Sequence, residues 1–281
     1  MNMENAKPNM RALAQACEAL SLPYKAVDEY GDFLAVTING ADRYFVNTRT
    51  PLNDEGVGEV CVNKVYTYML LKDELPMPET RSYIDPSVDG MLLKYVNHGS
   101  VKEIVADIEH AFTFPVILKM NAGSQGKHVY KCDSLRKVAR SIKSVFNKKQ
   151  RNYDFSVLAQ AYIDVAHEYR VLLLDGEIVL LYEKVVAEKG KNLSPLHNEG
   201  GKAVVITDES IHQSVKTIIE GSPHLKQMRW IGLDVAQDAE GKWWILELNT
   251  HPGFSYFIRD NGEAALVPVY IKMLQKLQHE K

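Results

Sequence analysis

Cysteine is scarce in this 281-residue chain. Cys17, Cys61 and Cys132 are odd in number and far apart, so they make neither a disulfide framework nor a paired CxxC site. That usage fits a reducing compartment. Long apolar runs are also missing: nothing approaches the roughly 20 consecutive apolar residues that span a bilayer. The polar first ten residues lack the apolar core of a secretory signal. The chain therefore reads as soluble and cytoplasmic, with no membrane partner. Nor does one sign of charge dominate. Thirty-three Lys and Arg against 36 Asp and Glu leave a net charge of -3, which argues against a general polyanion binder and hence against nucleic acid. No fixed-period repeat or low-complexity segment stands out, and the nine histidines show no zinc spacing. What remains is ordinary globular composition, 46% hydrophobic and 25% charged, in a chain long enough for two lobes or one large domain with an appended subdomain.

Hydrophobic period and turn residues divide the chain into three parts. Residues 1–77 read as a short N-terminal subdomain with helices over 11–20 and 64–75 and strands over 33–38 and 43–46. Asn63 is placed to cap the second helix through its side-chain oxygen. Pro76 and Pro78 end it and open a central subdomain, 78–163. There the pattern predicts helices over 101–111 and 134–147, and strands over 115–120, 128–131 and 156–162, with a glycine-bearing turn after the first strand. Residues 164–281 form the third part: strands over 169–174, 177–183 and 203–206, a helix over 211–221, a hairpin over 231–248 and a closing helix over 263–278. The mixture predicts an α+β architecture of several small sheets.

The hairpin bears the chemistry. In IGLDVAQDAEGKWWILELN, Gly241 supplies the positive φ of a turn, and a two-residue turn at Glu240-Gly241 sets Asp234 opposite Glu247. The period of two then puts Asn249 on the face of Glu247. A longer loop from Asp238 to Gly241 shifts this register unless a bulge restores it. Two carboxylates and an amide oxygen in one place suit a hard cation, and magnesium best, since it takes a few carboxylates and leaves its other positions to water and phosphate. A solvated acidic edge on an ordinary hairpin is the competing explanation. The sharp exit at His251-Pro252-Gly253 weighs against it by fixing the backbone beside the proposed ligands.

These residues resemble the ATP-grasp ligases. The family's acid–x–Asn–xx–Pro–Gly ending is similar to Glu247-Leu248-Asn249-Thr250-His251-Pro252-Gly253, with Asp234 as the upstream metal acid. FPVILKMNAGSQGKHVY, residues 114–130, resembles its strand, lysine and phosphate-covering loop. LAQAYIDVAHEYRVLLLDGEIV, residues 158–179, resembles its adenine hinge and ribose-contacting acid. The likeness reaches upstream to about Asn63 and is nearest to the group of ribosomal-protein glutamate ligases, cyanophycin synthetases and glutathione synthetases. It implies an ATP-grasp fold that holds the nucleotide between two α+β subdomains. It also implies ATP, with two magnesium ions that manganese can replace, and an amino-acid or peptide substrate. The implied reaction is carboxylate–amine ligation through an acyl-phosphate. Lys119 and the turn Gly123, Ser124, Gln125, Gly126 then face phosphate, as does Lys64, which follows Asn63 where relatives have an acid. Gln160, Ala161, Tyr162 and Ile163 form the hinge, Glu168 takes the ribose, and Lys184 and Arg170 act on the transferred phosphate or the anionic substrate.

Each piece also has a physical task of its own. A lysine at the mouth of an apolar strand seeks an anion, and glycines let backbone amides approach one. Tyr162 is better explained by core packing, and Arg170 equally by a surface ion pair. Arg136, Lys137, Arg140 and Lys143, with Lys148, Lys149 and Arg151 beyond, read as a solvated helix face that could also meet an acidic polymer. The same scaffold could phosphorylate an alcohol, or bind nucleotide without turnover; a homo-oligomer is compatible with any of these.

Overall fold

The computed structural model describes residues 3–123, 128–186 and 193–280. In chain order the elements begin with α1 (Pro8–Ala19), β1 (Tyr24–Ala26), β2 (Phe33–Ile38), β3 (Ala41–Val46), α2 (Glu55–Val62) and α3 (Lys64–Leu71). There follow β4 (Thr80–Ile84), a 3-10 turn, α4 (Val101–Ala111), β5 (Val116–Met120), β6 (Val129–Cys132), α5 (Leu135–Val145) and β7 (Ser156–Ala161). The remainder is β8 (Val165–Leu174), β9 (Glu177–Val185), β10 (Lys202–Val205), α6 (Glu209–Glu220), α7 (Pro223–Gln227), β11 (Trp230–Asp238), β12 (Trp243–Asn249), α8 (Ser255–Asn261) and α9 (Val267–Gln278). The chain is thus α+β, built on three antiparallel sheets ordered β1-β2-β3, β4-β7-β5-β6 and β10-β9-β8-β11-β12. Among the described residues, no helix is long and apolar enough to cross a membrane.

Alternation along the strands decides which face each sheet buries. In the central sheet Val116, Leu118, Val157 and Ala159 pack against Ile104 and Ile108 of α4 and Val138 and Ile142 of α5. Their neighbours Lys119, Leu158 and Gln160 therefore point the other way, toward α3 and β12. The five-stranded sheet is covered on both faces. Val171, Leu173, Ile231 and Leu233 meet Leu71, Val215, Ile219 and Leu225. Leu172, Leu174, Tyr182 and Trp230 meet α1, α9 and the first sheet. Each such side chain, fully withdrawn from water, stabilises the fold by about 2 kcal/mol. On that second face the residues nearer the β11–β12 turn are Glu168, Arg170, Lys184 and Asp234, so the apolar layer gives way to charge along the same strands.

Several elements depart from the sequence pattern. Asn63 does cap α3, its Oδ1 accepting from the Tyr66 N–H at 3.1 Å, but the helix stops at Leu71 instead of running on to 75. Glu74, just beyond that end, accepts from Ser222 Oγ and pairs with His224. The helix expected over 263–278 begins at Val267, because Gly262 with φ +81° turns the chain and residues 263–265 form only a 3-10 turn. The sequence pattern predicts none of β1, β4, α2, α7 and α8. β4 reads TRSYI, with no apolar alternation, and the eight residues of α2 contain two glycines.

Candidate active site

The β11–β12 hairpin reaches its pairing by a route that corrects the simple turn. Asp238 closes the loop: its N–H donates to the Lys242 carbonyl at 3.0 Å, and its Oδ1 accepts from the N–H groups of Glu240 and Lys242. The loop is thus three residues, with Gly241 at φ +82°, and Gln237 pairs with Trp243, one step out of the two-residue register. A bulge then restores the count. Val235 pairs with Ile245, but Asp234 pairs with Glu247, so Leu246 is the extra residue. Asp234 and Glu247 end up opposite each other, as the sequence predicts. Leu246 is turned into a pocket whose lining also includes Lys64, Lys119, Leu158, Gln160 and Glu247.

On the other side of β11, β8 sets Arg170 opposite Asp234. The guanidinium grips the carboxylate side-on, with Nε 2.6 Å from Oδ1 and the second nitrogen 3.2 Å from Oδ2. Lys184 of β9 completes the group, its Nζ 2.7 Å from Asp234 Oδ1 and 2.6 Å from Glu168 Oε1, with the side chain only 3% exposed. Burial alone would raise the Asp234 pKa; the charges of Arg170 and Lys184 outweigh it and hold the carboxyl at about 2. At Glu168 burial wins, and the pKa rises although Lys184 opposes it. Burial pushes Lys184 down, but Asp234 and Glu168 together leave it raised and firmly charged.

Lys119 occupies the opposing wall. It is buried in β5, donates to Gln160 Oε1 at 3.0 Å, and is lowered to about 8 by burial, with Lys64 adding to the shift and Glu247 opposing it. Gln160 is held in turn by donating to Thr80 Oγ1. Lys64, the first residue of α3, joins the walls. Its Nζ lies 3.2 Å from Glu247 Oε1 and donates to the Gly123 carbonyl at 2.6 Å. Ser124, Gln125 and Gly126 lie outside the described residues. Along the expected hinge, the Ala161 N–H donates to the Glu79 carbonyl and the Ile163 carbonyl accepts from the Val165 N–H. Tyr162 is not core packing: Lys131 Nζ lies 3.7 Å from its ring centroid, and its hydroxyl donates to Asp164. The cations of α5 are exposed on the far side of the central sheet, with Lys137 paired to Asp133.

Sequence reasoning missed Asn121, which is buried, accepts from the Val65 N–H through Oδ1 and offers its carbonyl to Lys64. Its signal was a polar residue ending an apolar strand just before Ala-Gly. Thr80, Met77 and Tyr68 also line the pocket, and no local pattern marks them.

The donor set fits magnesium. Asp234 and Glu247 present hard oxygens from facing strands, and Glu247 is 36% exposed with Lys64 on its Oε1. Asn249 Oδ1 accepts the His251 N–H at 2.8 Å, which aims the amide while leaving a second lone pair. Among the described residues, no three His, Cys, Asp or Glu converge as a metal-holding group.

Comparison with known structures finds this arrangement of sheets elsewhere. A bifunctional glutathione synthetase from Pasteurella multocida matches 98% of this chain at 16% identity and a TM-score of 0.58. The chain spans only 44% of that protein's length. A D-alanine–D-alanine ligase from Bacillus anthracis matches 80% of this chain and 68% of its own at 16% identity and a TM-score of 0.56; its complex with ATP matches at 14% and 0.53. At such identities these likenesses speak for the fold. Comparison with curated proteins gives no match. The RimK-like ATP-grasp domain, however, matches residues 80–274, well over half of the sequence, and the chain belongs to the RimK-like ATP-grasp family.

Proposed function

We propose that the chain is an ATP-dependent carboxylate–amine ligase that joins amino acids or short peptides through an acyl-phosphate, releasing ADP and phosphate. The observation that supports this most is the single cleft in which Lys64 touches both Glu247 and the Gly123 carbonyl while Lys119 faces them from β5. Family membership and the ligases among its structural likenesses point the same way.

In this reading the nucleotide lies between residues 78–163 and 164–281. Gln160 to Ile163 and the apolar side chains Leu158 and Leu246 hold the adenine, and Glu168, with one oxygen on Lys184, offers its other to the ribose hydroxyls. Lys119, Lys64 and the turn from Gly123 through Ser124, Gln125 and Gly126 hold the phosphates. Asp234, Glu247 and Asn249 hold magnesium, which when bound neutralises charge on the phosphate oxygens. Arg170 and Lys184 balance the charge that develops as a substrate carboxylate oxygen bonds to the γ-phosphorus and the bond to ADP breaks. The amine then attacks the acyl carbon, loses a proton and expels phosphate. The protein thus contributes position and charge, with no covalent step of its own.

A screen of amino-acid pairs for ATP-dependent phosphate release, with mass spectrometry of the products, tests the reading. An amide product with stoichiometric ADP and phosphate is expected. A phosphorylated product without free phosphate would make the protein a kinase.

A further inference from the structure

Each carboxylate that the metal reading uses already has a cation on it. Asp234 Oδ1 lies 2.6 Å from Arg170 Nε and 2.7 Å from Lys184 Nζ, and Glu247 Oε1 lies 3.2 Å from Lys64 Nζ. Among the described residues, the groups gathered here are Lys64, Lys119, Arg170 and Lys184 against Glu168, Asp234 and Glu247, four positive charges to three negative. A free divalent ion would add two positive charges to described groups that already carry one in excess. It would also have to displace ammonium and guanidinium groups that are themselves withdrawn from water. A metal–nucleotide complex arrives with net negative charge and gives the displaced lysines phosphate oxygens to hold.

We infer that the site refuses a free divalent cation and takes metal and nucleotide together, with Lys64 holding the place of the ion on Glu247 until phosphate arrives. The inference rests on the reading of Asp234 and Glu247 as metal ligands. Lys64 is the group that yields. Lys184 is locked between two carboxylates, and Arg170 is spread side-on along Asp234. Lys64 instead pairs with the more exposed carboxylate and has two further partners, the carbonyls of Gly123 at 2.6 Å and Asn121 at 3.4 Å. It can leave Glu247 without being left bare. The exchange breaks no covalent bond and moves no proton. Lysine goes from carboxylate to phosphate, and the carboxylate from lysine to metal.

Equilibrium dialysis of the full chain against Mn2+, with and without a β,γ-imido ATP analogue, tests this. Wild type should retain Mn2+ only with the analogue. Lys64→Met should bind free Mn2+ at least about tenfold more tightly than wild type, because one unit of opposing charge is gone. Lys64→Arg keeps the charge and should, like wild type, retain no free Mn2+, and circular dichroism checks that each variant folds. Equal Mn2+ retention by wild type with and without the analogue overturns the inference, as does a Lys64→Met chain with unchanged affinity for the free ion. Both outcomes leave the ligand assignment standing. Mn2+ retention with the analogue that persists undiminished in a Glu247→Gln, Asp234→Asn double variant removes the ligand assignment and the inference with it.

Discussion

Replacing Asp234 by Asn keeps the shape of the side chain and removes the one charge that Arg170 and Lys184 share. A carboxyl whose pKa falls from 3.8 to about 2 on folding contributes about 2 kcal/mol of stability at neutral pH. Breaking a buried pair by deleting one partner costs about 3–5 kcal/mol, since the remaining charge is stranded. Lys184 keeps Glu168, and an amide oxygen can still accept one bond, so the expected loss lies near the lower end, about 3 kcal/mol. The pH dependence has a definite sign. The folded pKa is depressed, so the contribution of Asp234 is fully present above the unfolded value of 3.8 and is lost as pH falls through about 2. Urea unfolding of wild type and Asp234→Asn should differ by about 3 kcal/mol near neutrality, with the gap closing as the pH drops from 4 toward 2. A variant within about 0.5 kcal/mol of wild type near neutrality, or a gap that persists into acid, would refute the reasoning.

Two other perturbations probe the opposite walls of the cleft. Lys119, lowered to about 8, loses its proton as pH rises through that value, so affinity for a nucleotide analogue should fall between pH 7 and 9 in wild type and stay flat in Lys119→Met, as measured by calorimetry; parallel profiles would deny Lys119 a phosphate role. In Gly232→Ala the new Cβ meets Pro252 Cβ at 3.0 Å and an Arg170 nitrogen at 3.4 Å, so thermal unfolding should register a loss of about 1–3 kcal/mol, and turnover should fall as Arg170 shifts; unchanged stability and turnover would mean that the strands part freely there.

What the sequence could say about this site depended on how local each feature is. The facing of Asp234 and Glu247 was legible only through two offsetting departures, a three-residue loop in place of the expected two-residue turn and a bulge that returns the register. The bulge at Leu246 was not, because the choice between a short turn and a longer loop with a compensating extra residue is made by Asp238 bonding across the loop. That Glu168 and Arg170 share a face follows from strand period alone. That Arg170 meets Asp234 and Glu168 meets Lys184 depends on which strands lie side by side, a long-range outcome that no local pattern encodes. Lys64 could be suspected of facing phosphate, but its contact with the Gly123 carbonyl joins residues 59 positions apart. β4 escaped notice since its strand face is polar where it lines the cleft, and the same polarity places Thr80 against Gln160.

The central claim is that this cleft activates a carboxylate with the γ-phosphate of ATP, and isotope transfer tests it most directly. With the amino-acid or peptide carboxylate labelled with oxygen-18, the wild-type chain should deliver one labelled oxygen into each phosphate released, while Glu247→Gln, folded by circular dichroism, should release almost none. Phosphate without label, phosphate left on the product, or undiminished turnover by Glu247→Gln would contradict the account.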